Sequence, residues 1–171
     1  MIRLALVLAC LVTVSELRAQ SGRPTPACAL LTVDDVRKAT GRTEYPRASD
    51  GDQLGEGAGG GSSCQYGGSS FAPGPHAPMV SFVLIPGKNW TKTSRGFKLA
   101  QGCTREDVKG IGDDAFFEVC PAPRSKRSPP LYAKVGTNDI IVQIDVEPPS
   151  TVESAKQQVI ALAKAAAAKL R

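Results

Sequence analysis

Four cysteines, Cys28, Cys64, Cys103 and Cys120, stand downstream of an apolar N-terminal run. In an exported chain an even number of cysteines reads as two disulfides. Three pairings are possible. Cys28–Cys64 with Cys103–Cys120 is the expected one, because each bond then closes within its own half of the chain. Chain entropy assigns each bond roughly 3–4 kcal/mol, before any native strain. A zinc site is the competing reading. It lacks support, since no CxxC pair occurs and no histidine lies near a cysteine at ligand spacing. A redox-active pair would also want cysteines close in sequence.

The apolar run explains the compartment. Met1-Ile2-Arg3 is a short basic start, Leu4 to Val14 is apolar except for Thr13, and Ser15 to Ala19 is more polar with a small residue at its close. That is the pattern of a secretory signal peptide, cut after Ala19. At a rise of about 1.5 Å per residue the apolar run spans about 16 Å, against roughly 30 Å for a bilayer core. The reading is therefore residues 1–19 as signal and 20–171 as one exported domain, periplasmic or secreted, with no transmembrane segment. Val7-Leu8-Ala9-Cys10 resembles a lipoprotein processing site, but cutting there leaves an apolar stretch too short for export. Cys10 leaves with the signal. About 150 residues remain, enough to bury roughly 70% of the unfolded surface.

Composition removes several classes. Charged residues at 22% and apolar ones at 42% are ordinary globular usage, which argues against global disorder and a multi-span membrane protein. Net charge is +5, and the only tight basic cluster is Arg124, Lys126 and Arg127, set among prolines. That is a solvated loop, not a phosphate-binding face, so no nucleic-acid partner is expected. His76 is the single histidine, so any Ser-His or Cys-His chemistry depends on it alone.

Secondary structure follows from caps and periodicity. Thr32-Val33-Asp34-Asp35 opens a short helix: Thr32 caps it, and the acids sit at the positive dipole end. Gly41 stands where a left-handed C-terminal cap belongs. Val80 to Ile85, Ala115 to Cys120, and a shorter run from Cys64 to Tyr66 read as strands. Leu131–Val135 and Ile140–Val146 form a hairpin. In its second strand Ile140, Val142, Ile144 and Val146 alternate with Ile141, Gln143 and Asp145, so one face is buried. Ser150-Thr151-Val152-Glu153 reads as a capping box opening a helix to about Leu170. Val152, Ala155, Val159, Leu162, Ala166 and Leu170 make its apolar stripe. Packing on the protein's own sheet suits so alanine-rich a stripe better than a membrane surface does.

Motifs of chemistry are sparse. Gly55-Glu56-Gly57-Ala58-Gly59-Gly60 matches GxGxxG, but no apolar strand precedes it, so it reads as a loop. Asn89-Trp90-Thr91 matches a glycosylation sequon, which matters only in a eukaryotic secretory pathway. Asp113-Asp114 follows Gly110-Ile111-Gly112. Adjacent residues entering a strand point to opposite faces, so the pair reads as a turn in which one Asp bonds backbone N–H groups. No GxSxG, SxxK, HExxH, P-loop or EF-hand loop occurs. Trp90 and Tyr66 are candidates for a pocket wall or, more simply, for core. No metal or cofactor is expected.

Three segments carry a resemblance: Cys28-Ala29-Leu30-Leu31-Thr32-Val33-Asp34-Asp35-Val36, Cys64-Gln65-Tyr66, and Gly110-Ile111-Gly112-Asp113-Asp114-Ala115-Phe116-Phe117. With the final hairpin and helix, the chain resembles a family of small exported bacterial proteins of unknown function, many of them envelope lipoproteins. The resemblance implies bacterial export and an α+β fold, and brings no catalytic residues. This chain departs from the lipoprotein members in lacking a good lipid-attachment cysteine.

The expected architecture is α+β: an antiparallel sheet of about 4–5 strands, with a long C-terminal helix and a short N-terminal helix packed on it. The expected function is a non-enzymatic exported binding module for an envelope protein or a small ligand, its binding residues unassigned. The alternative is a hydrolase built around Asp113, Asp114 and His76.

Overall fold

The computed structural model describes residues 27–43, 45, 49–51, 61–68, 78–86, 99–121 and 126–171. The signal segment, the GxGxxG run, His76, the sequon and Trp90 lie outside them. The elements run α1 (Ala27–Leu30), α2 (Val33–Thr40), β1 (Ser49–Gly51), β2 (Ser62–Tyr66), β3 (Val80–Pro86), β4 (Thr104–Asp107), β5 (Asp114–Val119), β6 (Leu131–Val135), β7 (Asn138–Ile144) and α3 (Val152–Lys169).

Among the described residues seven strands form one antiparallel sheet in the order β1-β2-β3-β7-β6-β5-β4. This α+β sheet exceeds the expected four to five strands. The two added ones are β1 and β4, both on edges. Thr104-Arg105-Glu106-Asp107 has no apolar alternation to betray it, and all four residues are exposed. Charged side chains on an edge discourage pairing with another chain. The sheet is two meanders, β1–β3 and β4–β7, meeting where β3 pairs with β7.

Register gives the sheet two distinct faces. One row across it reads Cys64, Phe82, Val142, Leu131, Phe117 and Glu106. The first five of these are fully buried and belong to one core with Leu31, Val36, Ala155, Val159, Leu162 and Ala166. The helices therefore cover this face. At about 25 cal/mol per Å² of apolar area, each such large side chain contributes about 1.5–3 kcal/mol.

Local chemistry sets the helix ends. Thr32 is the N-cap of α2, and its side chain and that of Asp35 bond each other's backbone N–H as a capping box. Gly41 closes the helix at φ 69°, the left-handed cap. The box of α3 lies one residue later than Ser150/Glu153: Thr151 is the N-cap and Ser154 its partner. Ser150 N–H instead bonds the Glu147 carbonyl in the turn that carries the cis Pro148–Pro149 bond. Val152 consequently falls on the solvent side, 47% exposed, while Ala163 and Ala167 join the buried stripe. These alanines let α3 lie against β6 and β7. At its far end Lys169 reaches Asp35 at 2.6 Å and joins α3 to the start of α2.

Both expected disulfides form. Cys28–Cys64 ties α1 to β2, and Cys103–Cys120 closes the open end of the β4–β5 hairpin. Among the described residues, no helix is long and apolar enough to cross a membrane.

Candidate functional site

The face of the sheet away from the helices carries a different row: Asp107, Phe116, Tyr132, Ile141, Val83 and Ser63. Phe116 and its facemate Ile85 are buried, yet neither belongs to the core under the helices. Alternation in β5 explains this. Ala115 and Phe117 point to the core, so Asp114, Phe116 and Glu118 point the other way.

Aromatic and charged groups on this face form one connected array. The Arg105 guanidinium lies 4.1 Å from the Phe116 ring centroid. Phe116 stacks on Tyr132 with centroids 5.3 Å apart. The Tyr132 hydroxyl donates to Glu118 Oε2 at 3.3 Å, and the Ala100 N–H donates to Glu118 Oε1 at 2.7 Å. Arg105 also pairs with Asp107 and with Asp114, the latter at 2.7 Å. Cation–π and stacking contacts of this kind each contribute about 0.5–1.5 kcal/mol.

Burial and neighbouring charge set the electrostatics of this face. Burial, then the charge and hydrogen bond of Glu118, push the Tyr132 hydroxyl up to about 12. It therefore stays a neutral donor at physiological pH. The hydrogen bond from Arg105 to Asp107 outweighs desolvation and, with Asp114, holds Arg105 firmly protonated. Burial, only partly offset by Lys134, raises the Asp139 carboxyl above its ordinary value. Its Oδ2 is buried without a hydrogen-bond partner among the described residues.

The sequence-predicted candidates separate. Asp113 Oδ2 accepts the Gly136 N–H at 2.7 Å, whereas Asp114 holds Arg105 on the second face. The two carboxylates are thus committed to different partners, as adjacent residues at a strand entrance should be. His76 lies outside the described residues. Tyr66 is fully buried, and its hydroxyl donates to the Leu31 carbonyl, which makes it core. Arg127 of the basic cluster pairs with Asp145 at 3.0 Å. The array around Phe116 and Tyr132 had one legible signal, the reading of Ala115 to Cys120 as a strand. Its partner Arg105 lies on a strand that had none.

One group of possible metal-ligand atoms stands out among the described residues: Cys103, Glu118 and Cys120, within 4.8 Å of one another. The two sulfurs are bonded to each other as a disulfide. No family model, no curated protein and no solved structure matches the chain.

Proposed function

We propose that this chain is an exported, non-enzymatic binding module, stapled by two disulfides, that takes an envelope protein or a small ligand on its second sheet face. One observation carries the reading. Among the described residues the helices lie on one side of the sheet, while the other carries a row from Arg105 and Phe116 through Tyr132 to Ile141 and Val83. Half-buried Tyr132, Ile141 and Val83, set beside buried Phe116 and flanked by fixed charges, suit recognition: apolar area supplies affinity, and oriented polar groups supply specificity.

Export to the periplasm or beyond, with cleavage after Ala19, belongs to the same proposal. The two disulfides support it, since such bonds persist in oxidising compartments. The resemblance to small exported bacterial envelope proteins points the same way.

The test uses a photo-crosslinking residue placed at Ile141 on the second face and, separately, at exposed Lys164 on α3. Mature protein is irradiated with envelope extract. The proposal expects a discrete adduct from position 141 that is absent from position 164. Adducts from 164 alone, or identical patterns from both positions, would contradict it.

A further inference from the structure

We propose that opening the Cys103–Cys120 disulfide exposes a binding site for a thiophilic divalent cation, formed by the two thiolates and the carboxylate of Glu118. This reading is independent of what the second face recognises.

Placement on the ladder carries the inference. Thr104 faces Val119 and Arg105 faces Glu118 across the β4–β5 pair. Cys103 and Cys120 stand one step beyond, with Cα atoms 4.1 Å apart. Glu118 precedes Cys120 by two residues and so shares its face. The ladder, not the S–S bond, therefore sets where the three side chains stand. Two thiolates on a tetrahedral ion, each at about 2.3 Å, lie roughly 3.8 Å from one another. Side-chain rotation supplies that separation from two adjacent strands. Glu118 retains capacity as a ligand. A carboxylate has about four lone-pair sites, and the bonds from Ala100 and Tyr132 use one on each oxygen. Those same donors fix the carboxylate in place, as partners of a metal ligand do. The nearby Arg105 charge is engaged by Asp107 and Asp114.

Three protein donors leave the fourth position of a tetrahedral ion to water, and two sulfurs with one oxygen favour zinc, cobalt(II) or cadmium over magnesium or calcium.

The opening is selective because one end of the Cys28–Cys64 bond, Cys64, is fully buried in the core and the other, Cys28, is half-buried, while Cys103 and Cys120 are both half-buried. A dithiol attacks Cys103–Cys120 as thiolate, passes through a mixed disulfide and leaves as its own cyclic disulfide. Two electrons and two protons go to the protein, giving two thiols. Binding the cation then releases those two protons to solvent. Cys28–Cys64 stays closed and keeps α1 on the sheet.

The experiment treats the full mature chain with limiting dithiothreitol, maps the free thiols by alkylation, and titrates the product with Co²⁺ alone. The proposal expects alkylation at Cys103 and Cys120 first. It also expects thiolate-to-cobalt absorption saturating at one ion per chain, displaced by Zn²⁺. Glu118→Gln should weaken the affinity by at least roughly tenfold, the low end of what even an outer partner is worth. Glu118→Asp, which keeps the carboxylate, should recover part of it. The Cys103→Ser/Cys120→Ser protein should show no such absorption while keeping its circular dichroism. Simultaneous reduction of both disulfides would overturn the proposal. So would cobalt absorption that is absent from the reduced chain or unchanged by Glu118→Gln.

Discussion

The carboxylate of Asp113 accepts the backbone N–H of Gly136, 2.7 Å away and on the far side of a strand pairing. The bond clamps the β6–β7 turn to the entrance of β5. The neighbouring backbone completes the clamp: Asp113 N–H donates to the Lys134 carbonyl at 2.7 Å. Gly112 sits so close that an added Cβ would lie 2.0 Å from that carbonyl oxygen, and its φ is +56°. Asp113→Ala should therefore cost about 1–3 kcal/mol, the penalty for losing a charge-assisted bond. Gly112→Ala should cost more, because both the clash and the left-handed backbone oppose it. Urea unfolding of the two variants checks the order.

A second prediction concerns acid. Burial lifts the folded-state pKa of Asp139 above its ordinary value. The folded chain thus holds this proton more tightly than the unfolded chain does. The contribution to stability is complete below the unfolded carboxylate value of about 3.9 and is lost as pH rises through the folded value. Asp139→Asn removes a charge that has no partner on Oδ2 among the described residues. It should raise the thermal midpoint at pH 7 and narrow the difference from wild type as pH falls. A midpoint that drops at pH 7 would contradict this account of the group.

At the alkaline end the sign is the same and the window differs. Tyr132 is raised to about 12, whereas a free tyrosine ionises near 10. Its contribution is complete below about pH 10 and is lost as pH climbs through about 12. Tyr132→Phe should cost about 1 kcal/mol at neutral pH, through the lost bond to Glu118, and should flatten the alkaline slope. Guanidinium unfolding at a series of alkaline pH values measures both effects.

The two staples and the core of α3 should each outweigh the ion pair at its end. The Cys28–Cys64 bond links residues 36 apart in sequence and the Cys103–Cys120 bond residues 17 apart. Replacing either pair with serine should cost about 2–5 kcal/mol. Leu162→Ala, in the fully buried middle of α3, should cost about 2–5 kcal/mol through the cavity it leaves. Lys169→Ala should cost no more than about 1 kcal/mol, since its pair with Asp35 is partly solvated. Chemical denaturation of these variants gives the ranking directly.

How far the sequence was legible depends on which signal each element used. Thr32 and Gly41 mark α2 because caps act through neighbouring backbone. Ile140, Val142 and Ile144 mark β7 because burial on one face imposes a period of two. The disulfide pairing was correct because each bond closes locally. Strand β4 left no trace: an exposed edge strand buries nothing and so selects no apolar residues. The start of α3 was shifted because Ser150 and Thr151 are both good caps in isolation. The turn after the two prolines, which engages Ser150, decides between them. Beyond the reading of Ala115 to Cys120 as a strand, the array on the second face was illegible for a related reason. Arg105, Phe116, Tyr132 and Glu118 meet only through register, and a single chain read in order does not display register.

The central claim is that the second sheet face is the recognition surface. The direct measurement is a chemical-shift titration of isotopically labelled mature chain with fractionated envelope extract. Perturbations should concentrate at Val83, Tyr132, Ile141 and Gln143, with α3 unmoved. Perturbations concentrated on α3, or a spectrum that no fraction alters, would contradict the account.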